Sequence, residues 1–96
     1  MDRRSFEESL ARGEPPAGIM PELEALWWLA RGDWERAHRI VQALRSRMAA
    51  RIHAHLHRIE GDLWNADYWY RTAGVPVRRD CLEAEREDLL RALLGG

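Results

Sequence analysis

Four histidines fall within a 20-residue stretch: His38, then His53, His55 and His57 in a His-Ala-His-Leu-His run, with Glu60 three residues further on. His53 and His57 are four apart, so on a helix they stand one above the other, and Glu60 continues the stripe. Two imidazoles and a carboxylate so placed could ligate one divalent ion, and a neutral imidazole could also act as an acid or base. The same spacing suits core histidines that only hydrogen-bond a carboxylate, a backbone carbonyl or a tyrosine. The expectation is therefore packed, hydrogen-bonded histidines and no cofactor, with His53, His57 and Glu60 as the alternative metal- or anion-binding set of a small α-helical protein or small enzyme.

Other reactive chemistry is sparse. Cys81 stands near Arg78 and Arg79, which could lower a thiol pKa, yet no base lies beside it in sequence, so a packed cysteine is expected. A single cysteine excludes an internal disulfide and a cysteine-based zinc cluster. There is no Gly-rich phosphate loop, no His-Glu-x-x-His and no serine in a nucleophile elbow, so a non-enzymatic role is expected.

Charge is layered. All 15 basic residues are arginine, against 16 acidic ones, for a net charge of −1. Residues 1–35 sum to −4, residues 36–59 to +6 and residues 60–96 to −3. The basic middle, with Arg36, Arg39, Arg45, Arg47, Arg51 and Arg58, is either a face for nucleic acid or another anion, or is neutralised by its acidic flanks. The near-neutral total gives no long-range pull toward nucleic acid, and none is expected as a partner.

The elements that carry these residues read as helices. Val, Ile and Thr supply only 8 of the 96 residues while Ala and Leu supply 25, a balance that starves strands and feeds helices. A chain of this length buries only about 60–65% of its unfolded surface, so the five tryptophans are expected to carry much of a thin core. No run is long and apolar enough for a secretory signal or a membrane span, and a cytoplasmic protein is expected.

The chain also repeats itself. Arg31-Gly32-Asp33-Trp34-Glu35-Arg36-Ala37 aligns with Glu60-Gly61-Asp62-Leu63-Trp64-Asn65-Ala66 at a spacing of 29 residues. Leu23, Ala25, Trp27 and Ala30 precede the first glycine as Ile52, Ala54, Leu56 and Ile59 precede the second, and Ala37, Val41 and Leu44 follow as do Ala66, Tyr70 and Ala73. Both halves have helical spacing, which makes the unit a helix, a Gly-Asp turn and a helix. Glycine takes the left-handed conformation that closes one helix, and aspartate caps the next.

In these residues the chain resembles the tetratricopeptide repeat (TPR) family, a unit built as a helical hairpin. Ala54, Gly61, Asp62, Ala66, Tyr70 and Ala73 match its pattern, and Ala25, Gly32, Asp33, Ala37 and Val41 form a weaker copy. The similarity covers residues 21–76, with a period of 29 where the family has about 34, and with His53 and His57 where an apolar and an aromatic residue are usual. Leu-Trp-Trp, Gly-Asp-Trp and His-Ala-His-Leu-His-Arg also look like a small bacterial family. The resemblance implies a protein–protein interaction module with a protein or peptide partner, a second copy included. It also implies a concave face lined by the first helix of each hairpin, from which Arg51, His55 and Arg58 project as an anion- or peptide-binding row. Solvated arginines are the plainer alternative, and Glu22, Leu26 and Leu29 of the first hairpin do not continue the charge.

The flanks read as caps. Ser5 with Glu8 forms a capping box before a short helix that Pro15-Pro16 ends, and this segment is expected to be a loosely held arm. Asp80 with Glu83 opens a last helix whose Leu82, Leu89, Leu90 and Leu93 would cover the exposed edge of the stack. The expected fold is all-α and a single compact domain: an arm over 1–20, two TPR-like antiparallel hairpins over 21–76 and a capping helix over 77–96. Trp64 and Tyr68 lie off the main stripe of their helix, which marks them as candidate interface anchors.

Overall fold

The computed structural model describes residues 1–94, in which six helices follow one another: α1 (Arg3–Arg12), α2 (Pro21–Ala30), α3 (Trp34–Gln42), α4 (Arg47–Ile59), α5 (Leu63–Ala73) and α6 (Leu82–Leu94). The described residues contain no strand, so the chain is all-α. Residues 95–96 of the expected terminal element lie outside the described residues. Among the described residues, no helix is long and apolar enough to cross a membrane.

The two Gly-Asp turns are alike in detail. Gly32 has φ 84° and Gly61 has φ 82°, the left-handed region where a Cβ is penalised. Gly32 N donates to Leu29 O at 2.9 Å and Asp33 N to Trp28 O at 2.9 Å, while Gly61 N donates to Arg58 O at 3.0 Å and Asp62 N to His57 O at 2.9 Å. The carboxylate of Asp33 then accepts from Arg36 N at 3.0 Å and that of Asp62 from Asn65 N at 3.3 Å. Each turn therefore satisfies the ends of both helices it joins, and α2 packs on α3 as α4 packs on α5. Ala37 and Ala66, five residues past each glycine, are 0% exposed and let the paired helices approach.

Helix α4 is the centre, touching α2, α3, α5 and α6. Its second half, Ile52 to His57, is buried on every side. A helix buried all round is usually apolar, so the three histidines in this stretch must find partners inside the fold. At about 100° per residue, His53 and His57 point within about 40° of each other while His55 points the other way. Two polar clusters on opposite sides of one helix are the result.

The flanking elements depart from expectation. Helix α1 begins at Arg3 with Asp2 as its cap, whose carboxylate takes the Ser5 N–H at 2.8 Å, and it ends at Gly13 rather than at the prolines. The arm is docked, not loose: Phe6 is 2% exposed, Ser9 Oγ accepts from Trp27 Nε1 at 2.9 Å, and Arg3 reaches Glu87 of α6 with two bonds at 2.6 and 2.8 Å. Helix α6 starts at Leu82, because Asp80 is held by Arg78 at 2.6 Å instead of capping it. It packs on α4 and α2 rather than over the outer side of α5, since Leu89 and Leu90 join the core formed with Phe6, Leu26, Ile52 and Leu56. Only one of the five tryptophans, Trp27, is fully buried; Trp28, Trp34 and Trp69 are half-buried and Trp64 is exposed.

Candidate functional site

On one side of α4 the histidines converge with a third ring from α3. His53 Nε2 lies 3.1 Å from His38 Nε2. His38 stands one turn after Trp34, whose ring stacks on it at a centroid distance of 4.9 Å and whose Nε1 donates to Leu56 O at 2.8 Å. That bond fixes the start of α3 against α4, and so aims His38 at His53. The His53 ring is held between Trp69 of α5, stacked at 3.9 Å, and His57, stacked at 5.1 Å. His57 Nδ1 lies 2.6 Å from Glu60 Oε1. A carboxylate only accepts, so Nδ1 carries the proton of this bond.

One atom in this cluster has no satisfaction: His53 Nδ1 is buried without a hydrogen-bond partner among the described residues. Burial first, and then the neighbouring His38 and His57, push His53 down to about 4. Burial and His57 also lower His38. Neutral rings with lone pairs to offer are what metal coordination or proton transfer requires. Potential ligand atoms of His38, His53 and His57 all lie within 4.8 Å of one another. His53 and His57 thus meet as the sequence spacing implied, but Glu60 stands behind His57 and the third donor is His38. The i, i+4 step from Trp34 to His38 was the only local sign that this residue faces the same junction.

On the other side of α4 lies a cluster that sequence reasoning missed. Glu85 of α6 is 1% exposed and accepts from His55 Nδ1 at 2.8 Å, from Arg58 Nη1 at 2.7 Å and from the Tyr70 hydroxyl. Arg58 also donates through Nη2 to the Asp80 carbonyl. Burial raises the Glu85 carboxyl, but the hydrogen bonds from His55, Tyr70 and Arg58 outweigh it and the carboxyl ends below its ordinary value. Burial and that carboxylate push Tyr70 up. Of the row Arg51, His55 and Arg58, two members are therefore committed to the chain's own carboxylate, because α6 lies where a partner's anion was expected. Arg51 lines a surface cavity of about 380 Å³, shared with Tyr70, Val75, Pro76, Arg78 and Glu85. The signal for Glu85 is its position: it falls between Leu82 and Leu89 on one helical stripe, a carboxylate on the buried face.

The remaining candidates are at the surface. Trp64 is 76% exposed, with Leu63 at 43% and Tyr68 at 47%. Next to Tyr68, a groove of about 600 Å³ runs between α5 and the α3–α4 connection, lined by Trp69, Thr72, Leu44 and Arg45. Arg39, Arg45 and Arg47 are exposed without a carboxylate partner among the described residues, while Arg36 covers Trp28 with its guanidinium 4.1 Å from the ring centroid. Among the described residues, the acidic flanks pair with arginines of the basic middle at Arg58 and Arg36. Cys81, expected to be packed, is exposed, because α6 begins one residue after it. The cations near it are engaged elsewhere, Arg78 with Asp80 and Asp88 and Arg79 with Asp67. No family model, no curated protein and no solved structure matches the chain.

Proposed function

We propose that the chain is a helical-repeat interaction module of the TPR-like type that associates with a second copy of itself through the outer face of α5. One observation carries this reading: Trp64 of α5 is 76% exposed, with Tyr68 one turn further along the helix and Leu63, its neighbour in sequence, exposed as well. An isolated exposed aromatic is ordinary, but two aromatics one turn apart with a leucine form the kind of anchor that dominates interface energetics. The packing of α6 supports the same reading. With α6 on α4 and α2, helix α5 is the open edge of the helix stack, and an open repeat edge is where the next unit of an array would dock. The commitment of His55 and Arg58 to Glu85 argues for this face over the row Arg51, His55 and Arg58.

Sedimentation velocity over a wide concentration range tests the proposal. A dimer is expected for the wild-type chain, and a monomer for Trp64→Ala combined with Tyr68→Ala. Neither ring is needed for the core, so the double variant should keep its helical circular dichroism. A wild-type chain that stays monomeric throughout, or a double variant that still dimerises, overturns self-association through this face.

A further inference from the structure

We propose that His38, His53 and His57 bind one first-row divalent cation of the zinc type, with Glu60 orienting His57 from behind. Two ligand nitrogens of a tetrahedral zinc centre with bonds of about 2.0–2.1 Å stand about 3.3 Å apart. His38 Nε2 and His53 Nε2 are 3.1 Å apart, so moving the rings by a few tenths of an ångström turns a hydrogen-bonded pair into two legs of a coordination sphere. His57 supplies the third. Its proton is held at Nδ1 by Glu60, at 2.6 Å, which leaves Nε2 to coordinate; a carboxylate–histidine pair is the usual support behind a metal-bound imidazole.

The His53 ring makes one hydrogen bond, through the Nε2 that would coordinate, while its Nδ1 has no partner among the described residues and keeps none when Nε2 binds an ion. Trp69 at 3.9 Å and His57 at 5.1 Å both stack on this ring, which holds its plane and keeps Nε2 toward His38. Coordination would replace the single shared proton between His38 and His53 with a bond to each. Half-exposed His38 gives an ion its approach from solvent, and three protein ligands leave a fourth position for water. Three neutral imidazoles select Zn(II), Cu(II), Ni(II) or Co(II) over the oxygen-seeking Mg(II) and Ca(II).

The first hairpin sharpens the case. The positions 29 residues before His53 and His57 hold Glu24 and Trp28, which satisfy each other through Trp28 Nε1 and Glu24 Oε2 at 3.0 Å. A pair that closes on itself would have served the fold in the second hairpin too. The second hairpin instead places two imidazoles at these positions, and α3 brings a third within reach of them.

Titration calorimetry with zinc chloride on tag-free protein, together with thermal melting, is the test. One zinc ion per chain and a raised melting temperature are expected, and Co(II) in place of zinc should give the visible absorption of tetrahedral coordination. His38→Ala removes a partly exposed ring without opening the core, and should abolish the one-to-one binding and the cobalt spectrum while the apo melting temperature changes little. Glu60→Gln should weaken zinc binding by about 10–100-fold. Absence of saturable binding by the wild type, or binding that His38→Ala leaves unchanged, overturns the site.

Discussion

Glu85 of α6 accepts from His55 Nδ1 of α4 at 2.8 Å, with both side chains 2% exposed. The carboxylate is thereby withdrawn from solvent, and Arg58 and Tyr70 complete its shell. Such a cluster is costly to break from one side, because what remains is a buried imidazole and a buried hydroxyl without an acceptor and a guanidinium hydrogen-bonded to the Asp80 carbonyl alone. Glu85→Ala is expected to lower unfolding stability by about 3–5 kcal/mol, read as the urea midpoint at neutral pH. Glu85→Gln should cost less, since an amide oxygen still accepts. Glu83→Ala, on the exposed side of the same helix, should leave the midpoint unchanged; an equal loss there would mean that removing a negative charge from the first turn of α6, not the buried cluster, sets the effect.

Acid should act through two separate windows. Burial, His38 and His57 lower His53 from 6.5 to about 4, so between those values the unfolded chain takes up a proton that the folded chain refuses. Stability tied to His53 is therefore full above 6.5 and falls as the pH drops toward 4. Glu85 ends below its ordinary 4.5, with burial opposing and hydrogen bonds from His55, Tyr70 and Arg58 prevailing. Its contribution is full above 4.5 and is lost as the pH falls further. In urea midpoints followed from neutral to acidic pH, His53→Gln should flatten the upper window and Glu85→Gln the lower. A variant that flattens the other window would break the assignment.

What was legible in the sequence was what local chemistry decides. Glycine before aspartate sets a left-handed closure and a side-chain cap within four residues, and both turns form as the aligned heptapeptides imply. The i, i+4 relation of His53 and His57 likewise survives, because both lie on one helix. What was not legible depends on contacts across the chain. Ser9 and Trp27 are 18 positions apart, and nothing local to Ser9 shows that its hydroxyl will take the indole N–H and dock α1. Glu85 sits in Leu-Glu-Ala-Glu-Arg-Glu-Asp, where its neighbours are solvent-facing charges and only the register with Leu89 sets it apart. His38, not Glu60, is the third group beside His53 and His57 for the same reason: α3 approaches α4 closely enough to bring His38 in, while Glu60, at the end of α4, reaches back to His57 instead.

The equivalence of the two Gly-Asp turns can be measured directly. An added Cβ would meet nothing within 4 Å at Gly32 or Gly61, so the cost of Gly32→Ala or Gly61→Ala is the left-handed backbone alone. With φ of 84° and 82°, each is expected to lose about 1–2 kcal/mol in urea unfolding, and the two losses should be equal and additive in the double variant. Asparagine, which tolerates this conformation better, should recover part of the loss at both positions. The turns differ in what they anchor: Asp62 N donates to His57 O at 2.9 Å, on a residue that also faces His53, whereas Asp33 N donates to Trp28 O at 2.9 Å. A distinctly larger loss at Gly61 would therefore mean that its turn also holds the histidine junction in place, and that the two hairpins, alike in backbone, differ in what their turns support.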